Sequence, residues 1–194
     1  SSDVCSSDLA KDENDIEAHD KWLIELWNKT VGKKDEVIIV GDFSFLSTED
    51  TKKLIGKLNG NKILILGNHD KSSERMKNYF SNVSQIRERT FKASNYDFLE
   101  ENLQIYLCHF PLLSWPSKNH GALMVHGHCH GNIDEFNESS KDLRIDVGLD
   151  GKLANYNFVS LEHLYKAMLD KITPHNLLRE YAHYIFNELK DGII

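Results

Sequence analysis

Cysteine is scarce in this chain. Only Cys5, Cys108 and Cys129 are present, and no two are spaced as C-x-x-C. That excludes a dense disulfide scaffold and the paired-thiolate spacing of a structural zinc module, and it suits a reducing compartment. Three prolines leave no proline-rich linker. No apolar run reaches the roughly 18 residues of a membrane-spanning helix. No basic stretch followed by an apolar one marks a signal peptide, so a cytoplasmic location and no membrane partner are expected. Basic residues are outnumbered, 23 against 30 acidic, for a net charge of -7. A negative field opposes broad binding to nucleic acid, yet it accepts a small phosphorylated substrate where bound metal supplies local positive charge. A G-x-S-x-G elbow is also lacking, which leaves Cys108 without the setting of a nucleophile.

What is present is an ordinary globular composition, 40% hydrophobic and 27% charged over 194 residues. The length suits one domain with a full core. Ser1 to Leu9 repeats Ser-Ser-Asp without helical or strand period and is set apart as a non-native or disordered leader, with one domain expected over 10–194. Apolar spacing from Asp15 predicts a helix, stopped at Gly32. Glu36 to Val40 reads as a strand covered on both faces, and Lys62 to Leu66 as a second. Ser47 with Asp50 resembles a capping box for the helix between them, with Gly60 as its C-terminal cap. A short helix is expected to carry Met76, Tyr79 and Phe80, then strands or a hairpin between Val83 and Tyr106. Further strands are expected at Leu103 to Cys108, Ala122 to Val125, Leu143 to Val147 and Asn157 to Val159. Helices should follow Ser160 and Thr173-Pro174. Helices alternating with apolar strands point to a parallel α/β sheet.

The chemistry collects where strands end. Four apolar strands run into Asp42, into Asn68-His69-Asp70, into His109, and into His128 with His130. In open α/β sheets ligands sit beyond the carboxyl ends of the strands, so these side chains could meet at one point. If the segment after Val125 stayed extended, His128 and His130 would project to the same side. Mixed nitrogen and oxygen donors of this kind suit Mn, Fe or Zn better than Mg or Ca.

Gly41-Asp42-Phe43-Ser44-Phe45, Gly67-Asn68-His69-Asp70, Cys108-His109-Phe110-Pro111 and Gly127-His128-Cys129-His130 together resemble the ordered motifs of calcineurin-like metallophosphoesterases. The resemblance covers about Asp35 to Leu164 and implies a four-layer α/β sandwich with two central mixed sheets flanked by helices. It implies hydrolysis of phosphomonoesters or phosphodiesters by a hydroxide bridging two divalent metals. Asp42 would bridge the two ions; Asn68, His109 and His128 would hold the second, and His130 would reach the first. His69 would contact the phosphoryl group or protonate the leaving alkoxide, with Asp70 orienting it. Cys129 would point away from the ions.

The chain departs from that pattern at one place. The family opens with a strand ending in D-x-H, and no such motif is found here; Asp3-Val4-Cys5 is the nearest imitation. The first ion is then left with Asp42 and His130, so the first site is expected to be weak or empty and hydrolysis impaired. The alternative is a noncatalytic relative that binds phosphate or nucleotide. The loop Leu112 to Gly121, with Trp115, Lys118 and His120, lies between two ligand segments and is a candidate for shaping specificity.

Overall fold

The computed structural model describes residues 13–70 and 77–171. Ser1 to Leu9, Met76 of the expected short helix and the helix expected after Thr173 lie outside the described residues. Helix α1 spans Glu13–Thr30 and is followed by strand β1, Glu36–Val40; α2 is Thr48–Lys57 and β2 is Asn61–Ile65. Strands β3 (Asn82–Ser84), β4 (Ile86–Phe91), β5 (Leu103–Cys108) and β6 (Leu123–His126) come next. A short helix α3 (Asp134–Ser139), strand β7 (Arg144–Asp146) and helix α4 over 161–171 complete the description.

The strands form two sheets. In the first, β1-β2-β3 are parallel throughout. The second, β4-β5-β6-β7, is mixed, because β4 runs antiparallel to β5 while β5, β6 and β7 are parallel. The architecture is the expected α/β arrangement of two sheets with helices. The stretch read as strands or a hairpin resolves into β3, which joins the first sheet, and β4, which joins the second. Asn157 to Val159 is not a strand.

The strand alternation explains the layers. Ile65, Ile105, Leu107, Leu123, Val125 and Ile145 form the main core between the sheets, with Leu164, Tyr165 and Met168 of α4 closing one side. The intervening residues face outward. Leu64 packs with Ile55 of α2 and with Phe80, Trp27 of α1 and Val31 just after it pack on Leu58, and Tyr106 and Met124 pack on Trp115.

Helix ends follow side-chain chemistry. Ser47 accepts from the Asp50 N–H as an N-cap should, but the second half of a capping box does not form. The Ser47 hydroxyl donates to the Asp50 carboxylate, which is too short to reach back to the cap's own N–H. At the other end α2 stops at Leu58 in extended conformation, before Gly60. The buried Lys62 ammonium donates to the carbonyls of Leu58 and Gly60, both at 2.8 Å, in the turn between α2 and β2. Ser160 caps α4 through the His163 N–H.

Candidate metal centre

Asp42 lies two residues beyond β1, Asn68 three beyond β2, His109 directly after β5 and His128 two beyond β6. Because β1 and β2 share one direction, as do β5 and β6, these are all carboxyl ends. The two sheets meet there. The His109 Nδ1–H donates to the Val40 carbonyl at the end of β1, 2.9 Å away, and the Gly127 N–H donates to the His109 carbonyl.

Close approach dictates the two glycines. Gly41 has φ +89°, and a Cβ there would collide with the His109 imidazole. A Cβ on Gly67 would collide with the Asp42 carboxylate. Beyond Gly41 the chain stays left-handed, with Asp42 at φ 52°. His128 and His130 are left-handed as well, at φ 69° and 50°. The segment after β6 is therefore a turn, not the extended strand that would set both imidazoles on one side. Left-handed conformations at non-glycine residues cost about 1–3 kcal/mol each and persist where the surroundings hold them.

The donor atoms converge. Ligand atoms of Asp42, His109 and His128 all lie within 4.8 Å of one another. The Val40 carbonyl can only accept, so it fixes the His109 proton on Nδ1 and turns the Nε2 lone pair inward. That Nε2 is 3.1 Å from Asn68 Oδ1 and 3.2 Å from Asp42 Oδ2. A lone pair set against two oxygens calls for a cation between them, either a proton or a metal ion. The set of two imidazoles, a carboxylate and an amide oxygen fits a divalent transition metal.

Electrostatics agree with that reading. Burial pushes the Asp42 carboxyl up, but hydrogen bonds from His109 and from the His69 N–H outweigh it, and the net shift is downward. Burial pushes His109 down, but Asp42 and the Val40 carbonyl outweigh it, and the net shift is upward. Without metal the pair is an ion pair.

Asp70 does a different job from the one expected. Its carboxylate accepts the backbone N–H groups of Gly67, Asp42 and Phe43 at 2.8–2.9 Å. Its hold on the His69 loop is through the main chain, and it ties that loop to the Asp42 turn. Burial raises its pKa against the pull of those bonds. His69 itself is exposed; its N–H donates to Asp42 Oδ1, and its ring lies 4.9 Å from the Phe45 ring.

Residues 4–150 match the calcineurin-like phosphoesterase family. The chain belongs to that family. It is 32% identical over 160 residues to the uncharacterized protein MJ1445 of Methanocaldococcus jannaschii, covering 79% of this chain and 77% of that one. It is 30% identical over 151 residues to the Gene 66 protein of Mycobacterium phage D29, covering 68% and 75%. The fold is similar to that of AQ665, a protein of unknown function from Aquifex aeolicus. The TM-score is 0.56 at 19% identity, covering 78% of this chain and 83% of that one.

The family motifs are thus brought together unequally. Asp42, Asn68, His109 and His128 share one point, whereas His130 stands outside the Asp42–His109–His128 group. Its Nδ1–H donates to Asp150 Oδ2 at 2.5 Å, which leaves Nε2 as the ring's lone-pair donor. Asp150 lies between Gly148 and Gly151, and its role depends on a contact 20 residues distant that no local pattern records. Behind the site lies a buried network that sequence reasoning also missed. Asn137 donates to His126 Nε2, Arg144 donates to Asn137 Oδ1 at 2.7 Å, and Arg144 also donates to the Leu112 carbonyl in the loop after His109. Arg144 is only 2% exposed. In that same loop Trp115 is buried, with its indole N–H on the Ala122 carbonyl, and Lys118 pairs with Asp142 at 2.7 Å. These residues anchor the loop, and Phe110 and Leu113 are its exposed large hydrophobic side chains. Cys129 is half-buried, and burial pushes its thiol pKa up, which keeps it protonated.

Proposed function

We propose that this chain is a metal-dependent phosphoesterase acting on a small phosphorylated substrate at the centre built by Asp42, Asn68, His109 and His128. The observation that carries the reading is the convergence of the donor atoms of Asp42, His109 and His128, with Asn68 Oδ1 against His109 Nε2. Divalent ions there, with Mn, Fe or Zn best matched to the donors, would supply positive charge for the phosphoryl oxygens and the acidity needed to activate water.

The chain's own groups divide the remaining work. Asp42 is presented with both oxygens engaged, Oδ1 by the His69 N–H and Oδ2 beside His109 Nε2, which sets the carboxylate plane. His109 is held in one tautomer by the Val40 carbonyl and His130 by Asp150. His69 is exposed and would donate a proton to the departing alkoxide. Asp70 keeps the His69 and Asp42 turns in register through three main-chain bonds.

Among the described residues, His130 with Asp42 is the donor pair for an additional ion, so the centre is expected to hold one ion tightly and another weakly, with slow turnover. That imbalance is what favours the second reading, a noncatalytic phosphate binder. Release of nitrophenol from bis(4-nitrophenyl) phosphate and 4-nitrophenyl phosphate in Mn²⁺ separates the two. The phosphoesterase reading expects metal-dependent release that falls about 100- to 10,000-fold in His69→Asn while Mn²⁺ binding is unchanged. Phosphate binding with no release from either ester would establish the binder. Release that ignores metal removal, or ignores His69→Asn, would contradict the phosphoesterase assignment.

A further inference from the structure

The two loops that carry Asp42 and His109 expose large apolar side chains among their polar ones. Phe45 is 54% exposed, Phe110 43% and Leu113 78%. Phe43, two residues before Phe45, is accounted for by the core, where it meets Phe80 edge-on at 5.4 Å. Phe45 is not; its ring lies against His69. Phe110 is set against the opposite components of the centre, with ring centroids 5.0 Å from His109 and 4.7 Å from His128. Two solvent-exposed aromatic rings therefore border one small site, one beside the group assigned to the leaving group and one beside the ligands.

Charge narrows what such a rim would take. Residues Asp42 to Ser47 and His109 to Ser117 contain no lysine or arginine. The next cation along the second loop, Lys118, is engaged by Asp142 and by the Leu113 carbonyl. Rings without cations do not serve a second or third phosphate, and the net charge of -7 opposes a polyanion. They do serve a flat, uncharged group, because every base has a face that stacks on an aromatic side chain. The Phe45 and Phe110 rings lie within 5.0 Å of histidine rings, which favours a planar group over an alkyl chain.

We propose that Phe45 and Phe110 form an aromatic rim that stacks a planar ring on the leaving-group side of the substrate, making the substrate class a singly phosphorylated ester with a nucleoside-like leaving group. The inference rests on the phosphoesterase reading of the same centre.

Adenosine 5′-monophosphate and ribose 5-phosphate share one phosphate and one ester oxygen and differ only in the base. Calorimetric titration of each into the Mn²⁺-treated protein, with inorganic phosphate and hexyl phosphate alongside, reads the rim without requiring turnover. The nucleotide is expected to bind at least about fivefold more tightly than the sugar phosphate, and Phe45→Ala to bring the two within about twofold. Phe45→Leu, which keeps an apolar surface and removes the ring, is expected to lose most of the same preference, and Phe110→Ala part of it. Equal binding of the nucleotide and ribose 5-phosphate, with inorganic phosphate still bound, would overturn the aromatic rim and leave the phosphoesterase reading standing. Hexyl phosphate binding as tightly as the nucleotide would do the same. Failure of inorganic phosphate to bind would remove both.

Discussion

At the scale of single residues, the account turns on which atoms are forced to face one another. The Val40 carbonyl decides the His109 tautomer, and that decision turns a lone pair toward Asp42 and Asn68. Asp70 touches none of this directly, yet three N–H groups on two separate loops depend on its two oxygens. Asp70→Asn would set an amide N–H₂ against the Phe43 N–H, or against those of Gly67 and Asp42 together if the amide is turned round, and so loosen the hold on both loops. Mn²⁺ affinity is expected to fall about 10- to 100-fold with the fold retained, as when other supports behind metal ligands are lost; titration of the variant checks it. Unchanged affinity would mean that the ligand loops hold their geometry without Asp70. The residues that converge, Asp42, Asn68, His109 and His128, were legible in the sequence because each sits next to a glycine or at the end of an apolar run. Asp150 was not, since a lone aspartate in a glycine-flanked turn looks the same whether or not a histidine leans on it.

At the scale of elements, strand ends place the ligands, and the packing behind β6 and β7 keeps those ends together. Arg144 joins three pieces: its own strand β7, Asn137 of α3, and the Leu112 carbonyl in the loop that follows His109. Arg144→Met keeps the buried stem and deletes the donors, stranding two buried acceptors. A loss of at least about 2 kcal/mol in urea unfolding is expected. A change within about 0.5 kcal/mol, the range of an ordinary surface substitution, would show that the network is dispensable. Helix α4 docks on the same region through Lys171, whose Nζ donates to the Asp142 and Arg144 carbonyls. Burial first, and the Arg144 charge second, pull its pKa from 10.5 down to about 8. Between those values the unfolded chain binds more protons than the folded one, so this lysine adds stability as pH rises through that window. The unfolding midpoint of the wild type should climb relative to Lys171→Met between pH 7.5 and pH 10, by about as much as the lysine's charge cost relaxes. A constant or shrinking difference would contradict the shift. Strand boundaries were readable because β-branched runs between glycines admit little else: Glu36–Val40 and Leu103–Cys108 stand where the sequence places them. The end of α2 was misread because the helix closes before Gly60, at Leu58, whose N–H donates to the Ile55 carbonyl.

At the scale of the whole molecule, two sheets from successive parts of the chain are pressed face to face so that their carboxyl ends share one edge. The parallel pairing of β1 and β2 follows from the helix between them, which is visible in the sequence, whereas the antiparallel β4 makes the second sheet mixed. The mutual packing of the sheets is not visible there, because it depends on which side of each strand is turned inward: Ile65 and Val125 face the common core, whereas Leu64 and Met124 face the outer layers. The central claim is that this shared edge holds a metal ion through Asp42. Metal counting tests it most directly. The chain is incubated with Mn²⁺, freed of excess, and assayed by elemental analysis beside Asp42→Asn. The account predicts about one tightly held ion per chain in the wild type and a loss of nearly all of it in the variant. Mn²⁺ retained by Asp42→Asn at the wild-type level, or no Mn²⁺ held by the wild type, would contradict it.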